Sequence, residues 1–264
     1  MSDRYAVIGN PVAHSKSPAI HAEFARATGQ DIEYARIEAP LDGFAEAIAR
    51  FRAAGGKGCN VTLPFKQEAV RIAGRLSERA RLAQAVNTLR FEDSFGDNTD
   101  GIGLVRDLAG NMGVDLQGKS LLILGAGGAA QGVAGALLTA GLRRLVIANR
   151  TLSKAQALAE RFPGVRARGY QALAGEHFDV VVNATSAGLA GESPTLPAGL
   201  LDEKTVAYDM VYGRDTPFLA QARAAGARAV DGIGMLVEQA AESFFLWRGV
   251  RPSTRAVLEK LRGS

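Results

Sequence analysis

The stretch KSLLILGAGGAAQGVAGALLTAGLRRLVIANRT, residues 119–151, decides the fold. It contains an unbroken apolar run, Leu121–Leu124, which is typical of a strand buried on both faces of a sheet. A glycine-rich segment follows, then a helix of small residues predicted over 131–140 and a second apolar strand over 145–148. The order of strand, helix and strand predicts a parallel βαβ unit.

The glycine-rich segment matches the pattern G-x-G-x-x-G/A, with alanine in the last position. In this pattern the first glycine permits a tight turn and the second lets the backbone approach a pyrophosphate, while the small third residue allows close packing of helix on strand. The free N–H groups at the helix start supply an anion site. A glycine-rich turn without a ligand is the alternative, but the flanking strand and helix favour a dinucleotide. The predicted pyrophosphate-binding residues are Gly125, Ala126, Gly127, Gly128, Ala129 and Ala130.

The uncharged run over 121–142 also has the length of a membrane span. Six glycines interrupt it, and an ordinary α/β pattern surrounds it, so we reject this alternative.

The end of the second strand indicates the cofactor. An NAD-binding fold usually has an acidic residue there, which binds the ribose hydroxyls. This chain has Asn149, Arg150 and Thr151, with Lys154 one helical turn later. A guanidinium and a hydroxyl suit a 2′-phosphate, and no carboxylate repels it. A solvated arginine at a helix start is the alternative, and we expect NADP.

The composition of the 264-residue chain is that of an ordinary soluble globular protein, with 47% apolar and 22% charged residues. The net charge of +4 is small and its positive residues are scattered, so nucleic acid is not an expected partner. Cys59 is the single cysteine, which excludes an internal disulfide and suits a reducing compartment. No signal-peptide pattern follows Met1, so we expect a cytoplasmic protein with no membrane partner. We expect no metal site, and a monomer or a homodimer.

Two serines lie in the loop after the first predicted strand. Ser17 suits the N-cap of a helix with Pro18 in its first position, so its hydroxyl has a structural explanation. Ser15 has no such explanation, and it is a candidate to bind a hydroxyl or carboxylate of a small polar ligand.

Lys66 breaks a local rule. A predicted strand passes into a helix near Pro64, which puts the Lys66 charge in the first turn, where the helix dipole disfavours a cation. A residue that breaks such a rule marks a candidate site. The alternative is a solvated lysine whose neighbour Glu68 offsets the field.

Three other polar residues have both a structural and a functional explanation. Asn87 can be an amide at a strand end, and Asp100 can cap the helix that follows it. Gln239 lies on the apolar stripe of a long helix predicted over 235–247, so it needs a partner in the core or in a ligand.

Taken together, these loops resemble the shikimate dehydrogenase family over nearly the whole chain. One such motif would be weak, but eight in order at family-like spacing are highly specific. The motifs are Gly9–Pro18, Asn60–Lys66, Ala85–Thr88, Asp97–Gly101, Gly125–Ala130, Asn149–Thr151, Tyr208–Tyr212 and Asp231–Gln239.

The resemblance implies reversible NADPH-dependent reduction of 3-dehydroshikimate to shikimate, with Lys66 and Asp100 as the catalytic pair. The residues that it implies for the substrate are Ser15 and Ser17 at the carboxylate, and Thr62, Lys66, Asn87, Asp100, Tyr212 and Gln239 at the ring hydroxyls and the reacting oxygen. The residues that it implies for the cofactor, besides the glycine-rich segment, are Asn149, Arg150, Thr151 and Lys154 at the adenosine phosphate, Met210 and Gly232 beside the nicotinamide, and Glu78.

The predicted elements indicate an α/β protein of two domains. We expect residues 1–103 plus 235–264 to form an N-terminal α/β substrate domain, to which the C-terminal helices return. We expect residues 104–234 to form a Rossmann-type, doubly wound NADP-binding domain. Two alternatives stay open: a relative that acts on quinate with NAD, and a regulatory protein that senses NADP without catalysis.

Overall fold

The computed structural model of the chain describes residues 2–263, with positions 189 and 190 described by their backbone alone. Met1 and Ser264, the outer ends of the predicted first domain, lie outside the described residues. The chain divides into two compact units. The first holds the described residues up to Gly103 together with those from Leu236 onward, and the second is Leu104–Met235.

The first unit contains a mixed sheet with the strand order β2-β1-β3-β5-β6-β4. Its described strands are β1 (Asp3–Gly9), β2 (Ile32–Glu38), β3 (Gly56–Val61), β4 (Arg75–Leu76), β5 (Thr88–Arg90) and β6 (Phe95–Asp97). Strand β1 pairs in parallel with β2 and β3, whereas β5 is antiparallel to both β3 and β6.

The second unit contains a sheet with the order β12-β11-β10-β7-β8-β9, and its described strand pairs are all parallel. The strands are β7 (Ser120–Leu124), β8 (Arg144–Ala148), β9 (Arg166–Arg168), β10 (Val180–Asn183), β11 (Val206–Asp209) and β12 (Arg228–Val230). Counted from β7, this is the doubly wound dinucleotide-binding order. The predicted α/β class with a Rossmann-type sheet is therefore confirmed.

The helices follow the strands in the α/β manner. In chain order they are α1 (Ser17–Thr28), α2 (Phe44–Ala53), α3 (Ala69–Ile72), α4 (Glu78–Ala83), α5 (Asp100–Arg106), α6 (Gly128–Leu138), α7 (Leu152–Ala159), α8 (Pro217–Ala224), α9 (Ile233–Arg248) and α10 (Arg255–Arg262). A π-helical turn, Asp107–Asn111, continues α5, and two 3₁₀ turns cover Tyr170–Leu173 and Ala187–Ala190. Among the described residues, none of these helices is long and apolar enough to cross a bilayer.

Strand β7 shows why the apolar run predicted a strand buried on both faces. Leu121 and Ile123 face one core cluster, which includes Val133 and Leu137 of α6. Leu122 and Leu124 face the opposite cluster, which includes Phe218 of α8. Successive strand side chains point to opposite faces, so helices on both sides require an unbroken apolar run.

The starts of α6 and α3 differ from the sequence prediction. Helix α6 begins at Gly128, three residues before the predicted start, because Gly127 already takes the extended N-cap conformation. Helix α3 begins only at Ala69. Lys66 therefore lies in a turn before the helix, and its predicted place in a first helical turn was wrong. The chain leaves β3 through a hydrogen-bonded turn, Phe65 N to Thr62 O at 3.0 Å, rather than entering the helix directly.

The imidazole side chain of His21 lies in the interior of the first unit. It is fully buried, and within the described residues neither ring nitrogen has a hydrogen-bond partner. The imidazole instead stacks on Tyr34, with ring centroids 4.2 Å apart. Burial lowers the pKa of His21 from 6.5 to about 3, because the apolar surroundings disfavour the imidazolium.

This pKa shift predicts a loss of stability in mild acid. Below pH 6.5 the unfolded chain binds a proton at His21 that the folded chain does not bind, so unfolding becomes easier as the pH falls toward 3. Between pH 6.5 and 5 the loss is about 1.5 kcal/mol. In urea denaturation, we expect the free energy of unfolding of His21→Leu to fall by about 1.5 kcal/mol less than that of the wild type between pH 6.5 and 5.

The exposed His177 supplies the control, because His177→Gln leaves the buried imidazole in place. If His21→Leu and the wild type lose equal stability over this pH interval, the buried imidazole is not the cause.

Candidate functional site

Lys66 and Asp100 form an ion pair in the first unit. Lys66 lies in the turn after β3, and Asp100 is the first residue of α5. Lys66 Nζ donates to Asp100 Oδ2 at 2.6 Å, and the side chains are 25% and 10% exposed. Asp100 therefore lies inside the helix rather than at its cap position, and its carboxylate faces an ammonium that water still reaches.

Asn87 fixes the other oxygen of this carboxylate. Its Nδ2 donates to Asp100 Oδ1 at 2.8 Å. Its Oδ1 accepts from Thr99 N at 2.9 Å and lies 2.9 Å from the Thr88 hydroxyl. An amide oxygen can accept from a backbone N–H but an amide nitrogen cannot, so Asn87 is held in one orientation with its N–H groups toward Asp100.

Gln239 reaches the same cluster from α9. Its Oε1 lies 3.3 Å from Asn87 Nδ2 and 3.4 Å from Thr99 Oγ1, and its Nε2 donates to Leu236 O at 2.7 Å. The amide on the apolar stripe thus has protein partners, and it lies beside the Lys66–Asp100 pair. An ammonium, a carboxylate and two amides in contact can bind hydroxyl groups and exchange a proton with one of them.

Behind Asn87 lies a buried polar network that sequence reasoning missed. Asn60 Nδ2 lies 2.9–3.1 Å from Asn87 O, Thr88 Oγ1 and Ser243 Oγ, so its two N–H groups are shared among three acceptors. Ser243 Oγ also lies 2.7 Å from Thr88 Oγ1. Asn60 and Thr88 belong to motifs quoted from the sequence, and each is a polar side chain in a strand or at its end. Ser243 gave no such signal.

The serine loop leads into α1. The helix begins at Ser17 and its N-cap is Lys16, which makes no side-chain capping bond. The predicted N-cap role of Ser17 was therefore wrong, because the helix starts one residue earlier and Ser17 is buried within its first turn. Ser15 Oγ accepts from Ser17 N at 3.2 Å, so its hydroxyl keeps its own proton for another acceptor.

Thr62 lies directly after β3, against the end of β1. Its N–H donates to Ile8 O at 2.9 Å. A Cβ added at Gly9 would lie 2.3 Å from Thr62 Cγ2, so this close approach requires glycine at position 9.

The glycine-rich segment of the second unit has the geometry of an anion cradle. Gly125 has φ +100°, which favours glycine, and it follows β7 directly. A Cβ added at Gly127 or Gly128 would meet nothing within 4 Å, so the backbone at the start of α6 is open to a ligand. Ala130 is fully buried, as the small third position of the pattern requires. These residues fit a pyrophosphate.

The polar residues at the end of β8 reach solvent. Asn149 Nδ2 donates to Thr151 O at 2.9 Å, which shapes the loop before α7. Thr151 is the N-cap of α7, but its hydroxyl makes no capping bond. Arg150, Thr151 and Lys154 are all exposed, so two cations and a hydroxyl are accessible to an anionic ligand.

Met210, Tyr212 and Gly232 lie after β11 and β12 in the second unit. A Cβ added at Gly232 would lie 2.5 Å from Met210 O, so these two loops touch only because position 232 is glycine. Tyr212 is half-buried, and burial raises the pKa of its phenol.

Each unit carries its own set of predicted site residues. The first unit carries Ser15, Ser17, Thr62, Lys66, Glu78, Asn87, Asp100 and Gln239. Within it, Lys66, Asn87, Asp100 and Gln239 are joined by hydrogen bonds, whereas Glu78 is an exposed residue at the start of α4. The second unit carries Gly125–Ala130, Asn149, Arg150, Thr151, Lys154, Met210, Tyr212 and Gly232.

Three family models match the chain. Their descriptions and matched residues are Shikimate dehydrogenase substrate binding domain (7–89), Shikimate / quinate 5-dehydrogenase (107–193) and Shikimate 5′-dehydrogenase C-terminal domain (232–262).

Relatives match over almost their whole length. The shikimate dehydrogenase (NADP(+)) of Halorhodospira halophila is 58% identical over 267 residues, with 99% of each chain covered. Among solved structures, an Ael1 enzyme from Pseudomonas putida is 52% identical, with a TM-score of 0.94 and 98% of each chain covered. The shikimate 5-dehydrogenase of Thermus thermophilus, solved in complex with NADP(H) and shikimate, is 40% identical, with a TM-score of 0.89 and the same coverage. The chain therefore belongs to the shikimate dehydrogenase family.

Proposed function

We propose that this protein catalyses the reversible NADPH-dependent reduction of 3-dehydroshikimate to shikimate. Residues 1–103 plus 235–264 serve as the substrate domain, and residues 104–234 hold NADP(H). The observation that carries the proposal is the Lys66–Asp100 ion pair. Asn87 donates to the other oxygen of this carboxylate and lies within hydrogen-bond distance of Gln239. The named activity of the relatives and the bound shikimate and NADP(H) of the Thermus enzyme support it.

The Lys66–Asp100 pair accounts for the proton chemistry. As the substrate ketone becomes an alcohol, negative charge develops on its oxygen, and the Lys66 ammonium stabilises that charge and donates the proton. Asp100 holds the ammonium in place at 2.6 Å and accepts a hydrogen bond from a neighbouring hydroxyl of the substrate. The nicotinamide, when bound, supplies the hydride.

The remaining polar residues bind and orient the substrate. Ser15 and Ser17 donate hydroxyl hydrogen bonds to the carboxylate. The ring hydroxyls and the reacting oxygen are bound by Thr62, Lys66, Asn87, Asp100, Tyr212 and Gln239. Because the Asn87 amide is held in one orientation by Thr99, it presents an N–H group, rather than its own oxygen, to a substrate oxygen.

The second unit holds the cofactor. Gly125–Ala130 bind the pyrophosphate through backbone N–H groups at the start of α6. The 2′-phosphate is bound by Asn149, Arg150, Thr151 and Lys154, and Met210 and Gly232 border the nicotinamide. Glu78, in the first unit, is the remaining cofactor contact that the family resemblance implies.

One absorbance assay distinguishes the proposed dehydrogenase from two alternative functions. A relative that uses quinate and NAD would show the opposite preference when shikimate and quinate are each tested with both cofactors. A protein that senses NADP without catalysis would bind NADP and produce no absorbance change at 340 nm. The cations at the end of β8 and the intact Lys66–Asp100 pair favour the dehydrogenase.

We further propose that the protein works in the cytoplasm as a monomer or a homodimer. Light scattering on the purified protein across a range of concentrations distinguishes the two assemblies.

The first prediction concerns Lys66. Lys66→Ala should lower kcat by about 10²- to 10⁴-fold, because the developing alkoxide loses its cation and proton donor, whereas KM for shikimate should change by about tenfold at most. Stability should fall by about 1 kcal/mol, since a largely buried Asp100 oxygen loses its partner. Single-turnover hydride transfer measures the chemical step apart from binding.

The exposed Lys57 on β3 is the control, because Lys57→Ala removes the same charge from the same unit. Asp100→Asn should also lower kcat, and the double variant should lose less than the product of the single losses. A near-wild-type transfer rate in Lys66→Ala would remove this lysine from the mechanism.

The second prediction concerns Ser15. Ser15→Ala should raise KM for shikimate, because the carboxylate loses a donor, while the melting temperature should fall only slightly. The lost contact within the protein is the single 3.2 Å bond from Ser17 N. Ser94→Ala, in the turn between β5 and β6, controls for removal of a loop hydroxyl in the same unit. A large fall in melting temperature with an unchanged KM would make Ser15 a structural residue.

The third prediction concerns cofactor choice. Arg150→Ala should raise KM for NADP by about tenfold or more, equivalent to about 1.4 kcal/mol, and leave KM for NAD nearly unchanged, because only NADP carries the 2′-phosphate. Arg143→Ala removes an exposed arginine at the opposite end of β8 and is the matched control. Equal losses with both cofactors would contradict the assignment.

A further inference from the structure

Arg36 lies near the carboxyl end of β2, on the face of the strand that carries Tyr34. Successive side chains of a strand point to opposite faces of the sheet, so Tyr34 and Arg36, two residues apart, point to the same face. The Tyr34 ring stacks on His21 of α1, which identifies this face as the one that α1 covers. The Arg36 side chain therefore extends toward the segment that enters α1.

The Arg36 guanidinium contacts that segment directly. Its Nε and Nη2 donate to Ser15 O at 3.0 and 2.6 Å. A second tether lies nearby, where Asn10 Nδ2 donates to Ala39 O at 2.8 Å. The loop before α1 is thus bound to the end of β2 at two points, and one of them is a fixed positive charge.

The charge of Arg36 has no carboxylate partner among the residues that the structure describes. Among the described residues, Arg36 forms no ion pair, although Glu38 lies on the same face two residues later. Only two of its N–H groups are used by Ser15 O, so others are free to donate. Ser15 and Ser17 are neutral donors, and two neutral hydroxyls leave a bound carboxylate without a counter-charge.

We propose that Arg36 is the cation of the substrate-carboxylate site, where it holds the Ser15 loop and supplies the positive charge that attracts the carboxylate. This inference rests on the proposed function, because it assumes a carboxylate bound by Ser15 and Ser17. By this inference, a residue of β2 selects substrates that carry a negative charge. A substrate with the same ring but no negative charge should gain nothing from Arg36.

Lys16 is the competing cation. It lies between the two serines, as the N-cap residue of α1. A lysine is also a flexible point charge, whereas the arginine fork is fixed by two bonds to one carbonyl. The geometry therefore favours Arg36 over Lys16.

The test is steady-state kinetics with NADP on Arg36→Gln, Lys16→Gln and the control Arg26→Gln, which removes an exposed charge near the other end of α1. Shikimate is the substrate, and its neutral methyl ester is the competitive inhibitor. We expect Arg36→Gln to raise KM for shikimate by about tenfold with kcat and KM for NADP changed by less than about twofold. The inhibition constant of the ester should stay the same.

Ionic strength gives a second readout. Wild-type kcat/KM for shikimate should fall as salt is added, and Arg36→Gln should flatten that dependence. Arg36→Lys keeps the charge without the fork, so it should retain the salt dependence. If Arg36→Gln does not fold, as judged by its melting temperature, Arg36→Lys and the salt dependence decide the question.

Three outcomes would overturn the inference: an unchanged KM in Arg36→Gln, an equal loss for acid and ester, or a loss confined to Lys16→Gln. An equal loss would mean that Arg36 only holds the loop. If the wild type itself fails to oxidise shikimate with NADP, the proposed function has failed, which the first measurement reveals separately.

Discussion

A buried carboxylate needs partners inside the protein, and this requirement organises the polar residues around Asp100 in the first unit. The Asp100 carboxylate is nine-tenths buried, and it is tolerable there because Lys66 and Asn87 each bind one of its oxygens. Asn87 in turn needs partners for its own oxygen, and Thr99 and Thr88 provide them. Each buried polar side chain thus depends on another one for its hydrogen bonds. The Asp100 carboxylate is therefore held in one arrangement.

The segment that carries Asp100 is held by the same rule. Asp97, only 2% exposed at its side chain, accepts two hydrogen bonds from the Arg79 guanidinium at 2.7 and 2.6 Å. Arg79 also contacts Glu242 of α9 at 3.0 Å. Breaking a buried pair by removing one partner costs far more than the pair contributes in place. The ion pairs of Arg79 therefore hold the segment that leads into α5, and α5 begins with Asp100.

The second unit follows a different constraint. Its parallel sheet is covered by helices on both faces, so the central strand β7 is apolar from Leu121 to Leu124. In sheets of this kind, ligands bind at the carboxyl ends of the strands and the loops after them. Gly125, Arg150 and Met210 all lie directly or closely after strand ends. Glycine also occurs where two loops approach each other closely, as where Gly232 lies against the carbonyl oxygen of Met210.

The sequence by itself determined the α/β class, the Rossmann-type sheet and the loops that carry the polar residues, because periodicity and glycine patterns are local properties of the chain. It did not determine the exact start of α3 or α6, since a helix start depends on turn geometry as well as on composition. Nor could it pair Lys66 with Asp100, or place Asn60, Thr88 and Ser243 behind Asn87. Those contacts join residues far apart in the chain, and only tertiary structure decides which buried polar groups satisfy one another.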